Sequence, residues 1–128
     1  MKAFFVLCLT IFSITASANE VAIKGVQFNY TSGDWTVHVT LKHDDSGWDH
    51  YADAWRVVDG KGKVLGTRTL YHPHVKEQPF TRSLSGLIIS DKLDEVYVEA
   101  HDKVHGWSKD RVRVNLKEDS GDRFQVKR

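Results

Sequence analysis

Hydrophobic and polar residues alternate along most of the chain after about residue 20, which is the pattern of β-strands with one buried face. The clearest run spans residues 35–42, where tryptophan, valine and leucine at odd positions alternate with polar side chains at even positions. Turn residues such as Asp59-Gly60-Lys61-Gly62 separate this run from similar ones. The pattern predicts seven strands, at residues 21–30, 35–42, 51–58, 63–71, 80–87, 94–102 and 111–116.

Seven short strands with Trp55 on a central strand are typical of a seven-stranded immunoglobulin-like or fibronectin III-like antiparallel sandwich. A small barrel is the alternative. Gly25 interrupts the alternation of the first strand and indicates a bulge. The sandwich domain is expected to span residues 19–116. Residues 117–128 are mostly polar and form either a tail or an edge strand.

The first 18 residues have the layout of a cleaved signal peptide. Lys2 supplies a positive charge, residues 4–14 are an apolar run too short for a membrane span, and Ala16-Ser17-Ala18 predicts cleavage directly after it. A buried N-terminal helix is the alternative. Leu7 is too bulky for the usual lipoprotein cleavage site before Cys8, which argues against a lipid anchor. The expected location is therefore periplasmic or secreted, with no membrane anchor.

Charge and cysteine content exclude several classes of function. The 128 residues include 18 Lys and Arg against 17 Asp and Glu, and the predicted signal peptide carries one of the basic residues. Such a balanced domain lacks the basic stripe that nucleic-acid binding requires. Cys8 is the only cysteine, so the mature domain has neither a disulfide nor a thiol nucleophile. The sequence also lacks a Gly-x-Ser-x-Gly motif, which favours binding over catalysis and leaves a metal-dependent enzyme as a further possibility.

Six of the seven histidines fall in or beside three loops that the strand order places at one end of the domain. Successive connections of an antiparallel sandwich alternate between its two ends, so residues 43–50, 72–79 and 103–110 are expected to meet. His38 lies apart, on the solvated face of a strand. The six histidines of this pole are His43, His50, His72, His74, His101 and His105.

Imidazoles close to carboxylates predict a divalent transition-metal site for zinc or copper, with iron ranked behind them. The absence of a soft sulfur ligand favours zinc or copper(II) over copper(I). Pro73 forces His72 into an extended conformation, so the His72 and His74 rings are expected to point to the same side. With His105 they are the first candidate ligands, followed by His43, His50, His101 and Asp102. The alternative is that these histidines are ordinary solvated loop residues.

Trp48 and Trp107 are large aromatic residues in polar loops, where such residues often contact a partner. They suggest a second function for the same pole, a noncatalytic module that binds a protein of the cell envelope or a saccharide. Glu77 and Arg82 form a candidate ion pair that supports the second loop.

The stretch from residue 35 to residue 55, with His43 and His50 around its loop, resembles the iron-binding sandwich of superoxide reductases, the desulfoferrodoxin-like family. His105-Gly106-Trp107 is similar to the segment with that family's late histidine ligand. The resemblance implies mononuclear iron held by four histidines and one cysteine. The position of that cysteine falls on Asp102 in this chain.

Residues 35–116 also resemble the sandwich subunit of the bacterial sulfur-oxidation carrier complex, through the 43–48 loop, the 59–62 turn and His72-Pro73. This resemblance implies a binding module that pairs noncovalently with a carrier protein. The run HPHVKEQPFTRSL at residues 72–84 is similar to small secreted bacterial proteins of unknown function, which implies no particular activity.

Overall fold

The computed structural model describes Ala3 and residues 20–128. These residues form nine β-strands and no helix. The strands are β1 (Ala22–Thr31), β2 (Asp34–Lys42), β3 (Ala52–Val58), β4 (Val64–Thr69), β5 (Phe80–Leu87), β6 (Glu95–Asp102), β7 (Gly106–Asn115), β8 (Ser120–Gly121) and β9 (Phe124–Lys127).

The strands make two sheets, in the orders β5-β2-β1-β9-β8 and β4-β3-β6-β7. Neighbouring strands run antiparallel except β1 and β9, which are parallel with Val26 opposite Phe124. The predicted count of seven strands and the purely antiparallel order are therefore wrong. Residues 120–127 form two additional strands, and Phe124 and Val126 bury their side chains in the core.

The core lies between the two sheets. In β2, Trp35, Val37, Val39 and Leu41 are buried, as the alternation predicted, and Trp55 of β3 is completely buried. Buried residues of both sheets belong to one hydrophobic cluster, which confirms the two-sheet, all-β architecture. The predicted bulge is also present, because the β1–β2 register shifts between Ile23 and Gly25. The narrower assignment to an immunoglobulin-like or fibronectin III-like class stays a prediction.

Strand β7 begins at Gly106, five residues before its predicted start at Arg111. The hydrophobic alternation does not extend over residues 106–110, because polar side chains hold this part of the strand in place. Ser108 is buried and donates a hydrogen bond to the Val21 carbonyl at 2.8 Å, and the Asp110 carboxylate accepts one from the Ile23 amide at 2.9 Å. The loop between β6 and β7 is consequently a tight turn at residues 103–105.

The predicted signal peptide and Cys8 lie outside the described residues, except for the exposed Ala3. Over the part of the chain that the structure does describe, no helix has the length and apolar character needed to cross a membrane.

Candidate metal centre

Three loops meet at one end of the domain, between β2 and β3, between β4 and β5, and between β6 and β7. The His74 amide donates to Asp45 Oδ2 at 2.7 Å, which joins the first loop to the second. The Lys103 amide donates to the Tyr51 carbonyl at 3.2 Å, which joins the first loop to the third. These contacts confirm the convergence that the strand order predicted. We call this end of the domain the loop pole.

His43, His50 and Asp102 form a compact cluster at the loop pole. His50 Nε2 lies 3.4 Å and His43 Nε2 lies 3.8 Å from the Asp102 carboxylate oxygens that face them. One ligand atom from each residue falls within 4.8 Å of the other two. Donors at about 2.0–2.2 Å from a zinc ion are separated by about 3–4 Å. The cluster therefore needs only a small inward movement to hold a metal ion.

The cluster is largely buried, and His50 is its partly exposed member. The side chains of His43 and Asp102 are 0% exposed, and that of His50 is 19% exposed. His50 Nε2 is itself buried and makes no hydrogen bond within the described part of the chain. A buried polar atom without a hydrogen bond costs free energy, and an ion placed between His50 Nε2 and the Asp102 carboxylate would remove that cost.

Asp102 is held by the turn that follows it. Its Oδ1 accepts hydrogen bonds from the amides of Val104 at 2.8 Å and His105 at 2.7 Å. His105 Nδ1 lies 3.2 Å from each oxygen of the Asp102 carboxylate. The His105 ring is partly exposed, and its centroid lies 5.0 Å from that of the His50 ring. Burial raises the pKa of Asp102, but these donors outweigh it and the pKa lies below its ordinary value. The site therefore keeps an ionised carboxylate, which suits a cation.

Asp45 contacts the cluster through His43, and its side chain is fully buried. Its Oδ1 accepts hydrogen bonds from His43 Nδ1 at 2.5 Å and from the Ala52 amide at 3.0 Å, while Oδ2 accepts from the His74 amide. A carboxylate that receives the Nδ1 proton of a histidine is the usual outer partner of a metal-binding imidazole. The sequence pattern does not single out Asp45, which follows His43 by two residues in an acidic loop.

The His72 and His74 rings lie together, with centroids 4.6 Å apart, but outside the cluster. His74 is buried, stacks on Phe80 at 4.0 Å, and places Nε2 2.8 Å from Nη2 of Arg82. Arginine only donates hydrogen bonds, so His74 Nε2 is the acceptor. The lone pair of this nitrogen is therefore occupied by Arg82 and is not available to a metal ion. His72 is exposed. Glu77 lies 3.6 Å from Arg82, which confirms the predicted ion pair.

His101 occupies the opposite face of β6 from Asp102, because successive residues of a strand point to opposite sides. Its Nδ1 contacts Asp53 Oδ1 at 2.5 Å, and its ring packs against Trp107. The Arg56 guanidinium covers Trp107 at 3.6 Å from the ring centroid. The structure thus separates His101 and Trp107 from the buried cluster and places them on the outer surface of the four-stranded sheet.

Exposed apolar side chains occur on all three loops of the pole. Trp48 is 64% exposed and Tyr71 is 73% exposed, and Val75 and Val104 are also largely exposed. Trp48 packs edge-on against Tyr51, with ring centroids 5.8 Å apart. The candidate metal cluster is therefore surrounded by loops that present hydrophobic groups to solvent.

The chain is similar to a known protein over part of its length. A protein of Halomicrobium mukohataei named "Putative lipoprotein" is 45% identical to the chain over 69 residues, which are 54% of the chain and 33% of that relative. No family model matches the chain, and no solved structure matches it. The resemblances to superoxide reductases and to the sulfur-oxidation subunit therefore remain predictions. The chain is similar, over about half of its length, to about a third of a protein named as a lipoprotein.

Proposed function

We propose that this protein is an extracytoplasmic β-sandwich that binds a divalent transition metal through His43, His50 and Asp102. The observation that carries the proposal is the buried Nε2 of His50, which faces an ionised, buried carboxylate and makes no hydrogen bond within the described residues. His105 is the candidate for a fourth ligand, since its Nδ1 lies beside both oxygens of Asp102.

The ligand set favours zinc or copper(II). Two imidazoles and one carboxylate contain no sulfur, and borderline divalent ions prefer such a set of nitrogen and oxygen donors. Iron(II) ranks behind them, although two histidines and a carboxylate also serve as its ligands in non-haem sites. The predicted signal peptide and the lipoprotein relative support an envelope or secreted location.

Isothermal titration calorimetry with zinc, copper(II) and, under anaerobic conditions, iron(II) tests this function. We expect micromolar or tighter binding at neutral pH, and a loss of at least about tenfold in His50→Ala. His38→Ala is the matched control, because His38 bonds Ser83 on the surface of β2, away from the loop pole. No binding of any of the three ions, or equal binding by wild type and His50→Ala, contradicts the proposal.

A second candidate function is noncatalytic binding of an envelope protein or a saccharide by the loop pole. The exposed Trp48 and Tyr71 favour it, since exposed aromatic residues supply much of the binding energy at such surfaces. A photo-crosslinking residue at position 48 tests it, with position 88 as the control because Ile88 is equally exposed outside the three loops. Equal crosslinking at both positions contradicts this function.

A further inference from the structure

The Asp45 side chain is fully buried at the loop pole, yet it is not one of the three clustered ligands. It accepts one side-chain and two backbone hydrogen bonds, from His43, Ala52 and His74. These donors come from both ends of the first loop and from the second loop. One side chain therefore connects the segments that build the candidate site.

The contact with His43 determines which ring nitrogen carries the proton. An ionised carboxylate only accepts hydrogen bonds, so the Nδ1 atom of His43 must be the donor. In a neutral imidazole the lone pair then belongs to Nε2, the atom that lies 3.8 Å from Asp102 Oδ2. Metal ions bind the lone pair of a neutral imidazole, so this tautomer is the one that the site requires.

We propose that Asp45 is the positioning residue of the metal centre, which fixes His43 as the Nδ1-protonated tautomer and fastens the His72–His74 segment beneath it. The proposal rests on the proposed metal-binding function. The proposal gives the second loop a role without direct coordination, because the backbone amide of His74 donates a hydrogen bond to Asp45. Gln78 reinforces the link by accepting from the His43 amide at 3.1 Å and donating to the His74 carbonyl at 2.9 Å.

Asp45→Asn tests the proposal with little change in volume. The amide has one oxygen where the carboxylate has two. If that oxygen faces His43 and Ala52, the NH₂ group opposes the His74 amide, which is also a donor. If the side chain turns over, the NH₂ group donates to His43 Nδ1 and moves the ring proton to Nε2. Either arrangement impairs the metal centre.

Asp53→Asn is the matched control. Asp53 Oδ1 contacts His101 Nδ1 at 2.5 Å, the same pairing as that of Asp45 with His43. This second pair lies on the outer face of the four-stranded sheet, away from the cluster. Each variant replaces the carboxylate of one aspartate–histidine pair by an amide, and both have the same effect on net charge. A difference between them therefore reports the position of Asp45, since the chemistry of the substitution is identical.

The decisive readout is long-range ¹H–¹⁵N NMR of the histidine rings in the metal-free protein. We expect wild-type His43 to be protonated at Nδ1, and we expect Asp45→Asn to lose zinc affinity by about ten- to hundredfold while Asp53→Asn retains it. Wild-type His43 protonated at Nε2 overturns the inference, and this measurement needs no folded variant. Equal zinc affinity of wild type and Asp45→Asn also overturns it. If wild type binds none of zinc, copper(II) and iron(II) while the expected tautomer is present, the proposed function is refuted instead.

Discussion

The imidazole of His74 accepts a hydrogen bond from the guanidinium of Arg82, with 2.8 Å between Nε2 and Nη2. Burial lowers the pKa of His74, and the charges of Arg82 and His72 lower it further, against opposing effects of Glu77 and Asp45. His74 therefore stays neutral in the folded protein at a pH where an unfolded histidine has begun to bind a proton. The unfolded state takes up that proton first, so this residue reduces the stability of the fold as the pH falls below about 6.5.

We predict that an NMR titration of the metal-free protein gives His74 a lower pKa than the same residue has in urea. Arg82→Gln should raise the pKa of folded His74, because it removes a positive charge next to the ring. Arg111→Gln is the control, since Arg111 lies over Tyr97 on the outer sheet face. The attribution to Arg82 fails if both variants leave the titration of His74 unchanged.

Gly106 follows the turn that holds Asp102 and has a φ of 75°, in the left-handed region that favours glycine. We predict that Gly106→Ala lowers the free energy of unfolding by about 1–2 kcal/mol. Gly60→Ala should be close to neutral, because Gly60 has no such positive φ and a Cβ there meets no atom within 4 Å. Urea unfolding followed by tryptophan fluorescence measures both, and equal costs would show that the turn does not depend on this conformation.

Phe124 buries its ring in the core from a segment for which the sequence left a polar tail and an edge strand as alternatives. We expect Phe124→Ala to cost about 3 kcal/mol of unfolding free energy, the lower end of the range for buried phenylalanine. Gln125→Ala, at the neighbouring exposed position of β9, should change it by less than about 0.5 kcal/mol. Chemical denaturation measures the unfolding free energy of both variants. A small effect of Phe124→Ala would mean that β9 frays in solution.

The predicted signal peptide gives a direct expectation for the exported protein. Mass spectrometry of protein from the cell envelope or medium of its host should find Asn19 as the first residue. An intact Met1 contradicts cleavage after Ala18. A fatty-acylated Cys8 at the new N-terminus contradicts the predicted absence of a lipid anchor.

Sequence periodicity was sufficient to predict that the three loops meet, because it located β2 to β6 to within a few residues and the connections then alternate between the two ends. It could not determine which histidines face one another. His101 and Asp102 are adjacent in sequence, yet only Asp102 faces the cluster, and the register of the strand decides between them.

The role of Asp45 was beyond sequence reasoning for a different reason. Its carboxylate is satisfied by the amides of Ala52 and His74, and both contacts exist only after the first two loops have packed together. The start of β7 was missed on similar grounds. Ser108 and Asp110 are polar residues whose sequence pattern is that of a loop, and their partners are Val21, directly before β1, and Ile23 of β1.

The parallel pairing of β1 with β9 has a consequence for when the protein can fold. Val26 and Phe124 are register partners from nearly opposite ends of the described chain, and β9 lies inside the five-stranded sheet with only the two-residue β8 beyond it. Contacts between residues so distant in sequence form late, since the intervening chain must first be closed into a loop. A polypeptide emerging from a ribosome cannot complete this sheet until residues 124–127 have appeared. Folding of the five-stranded sheet is therefore held back until β9 has been synthesised and has reached β1.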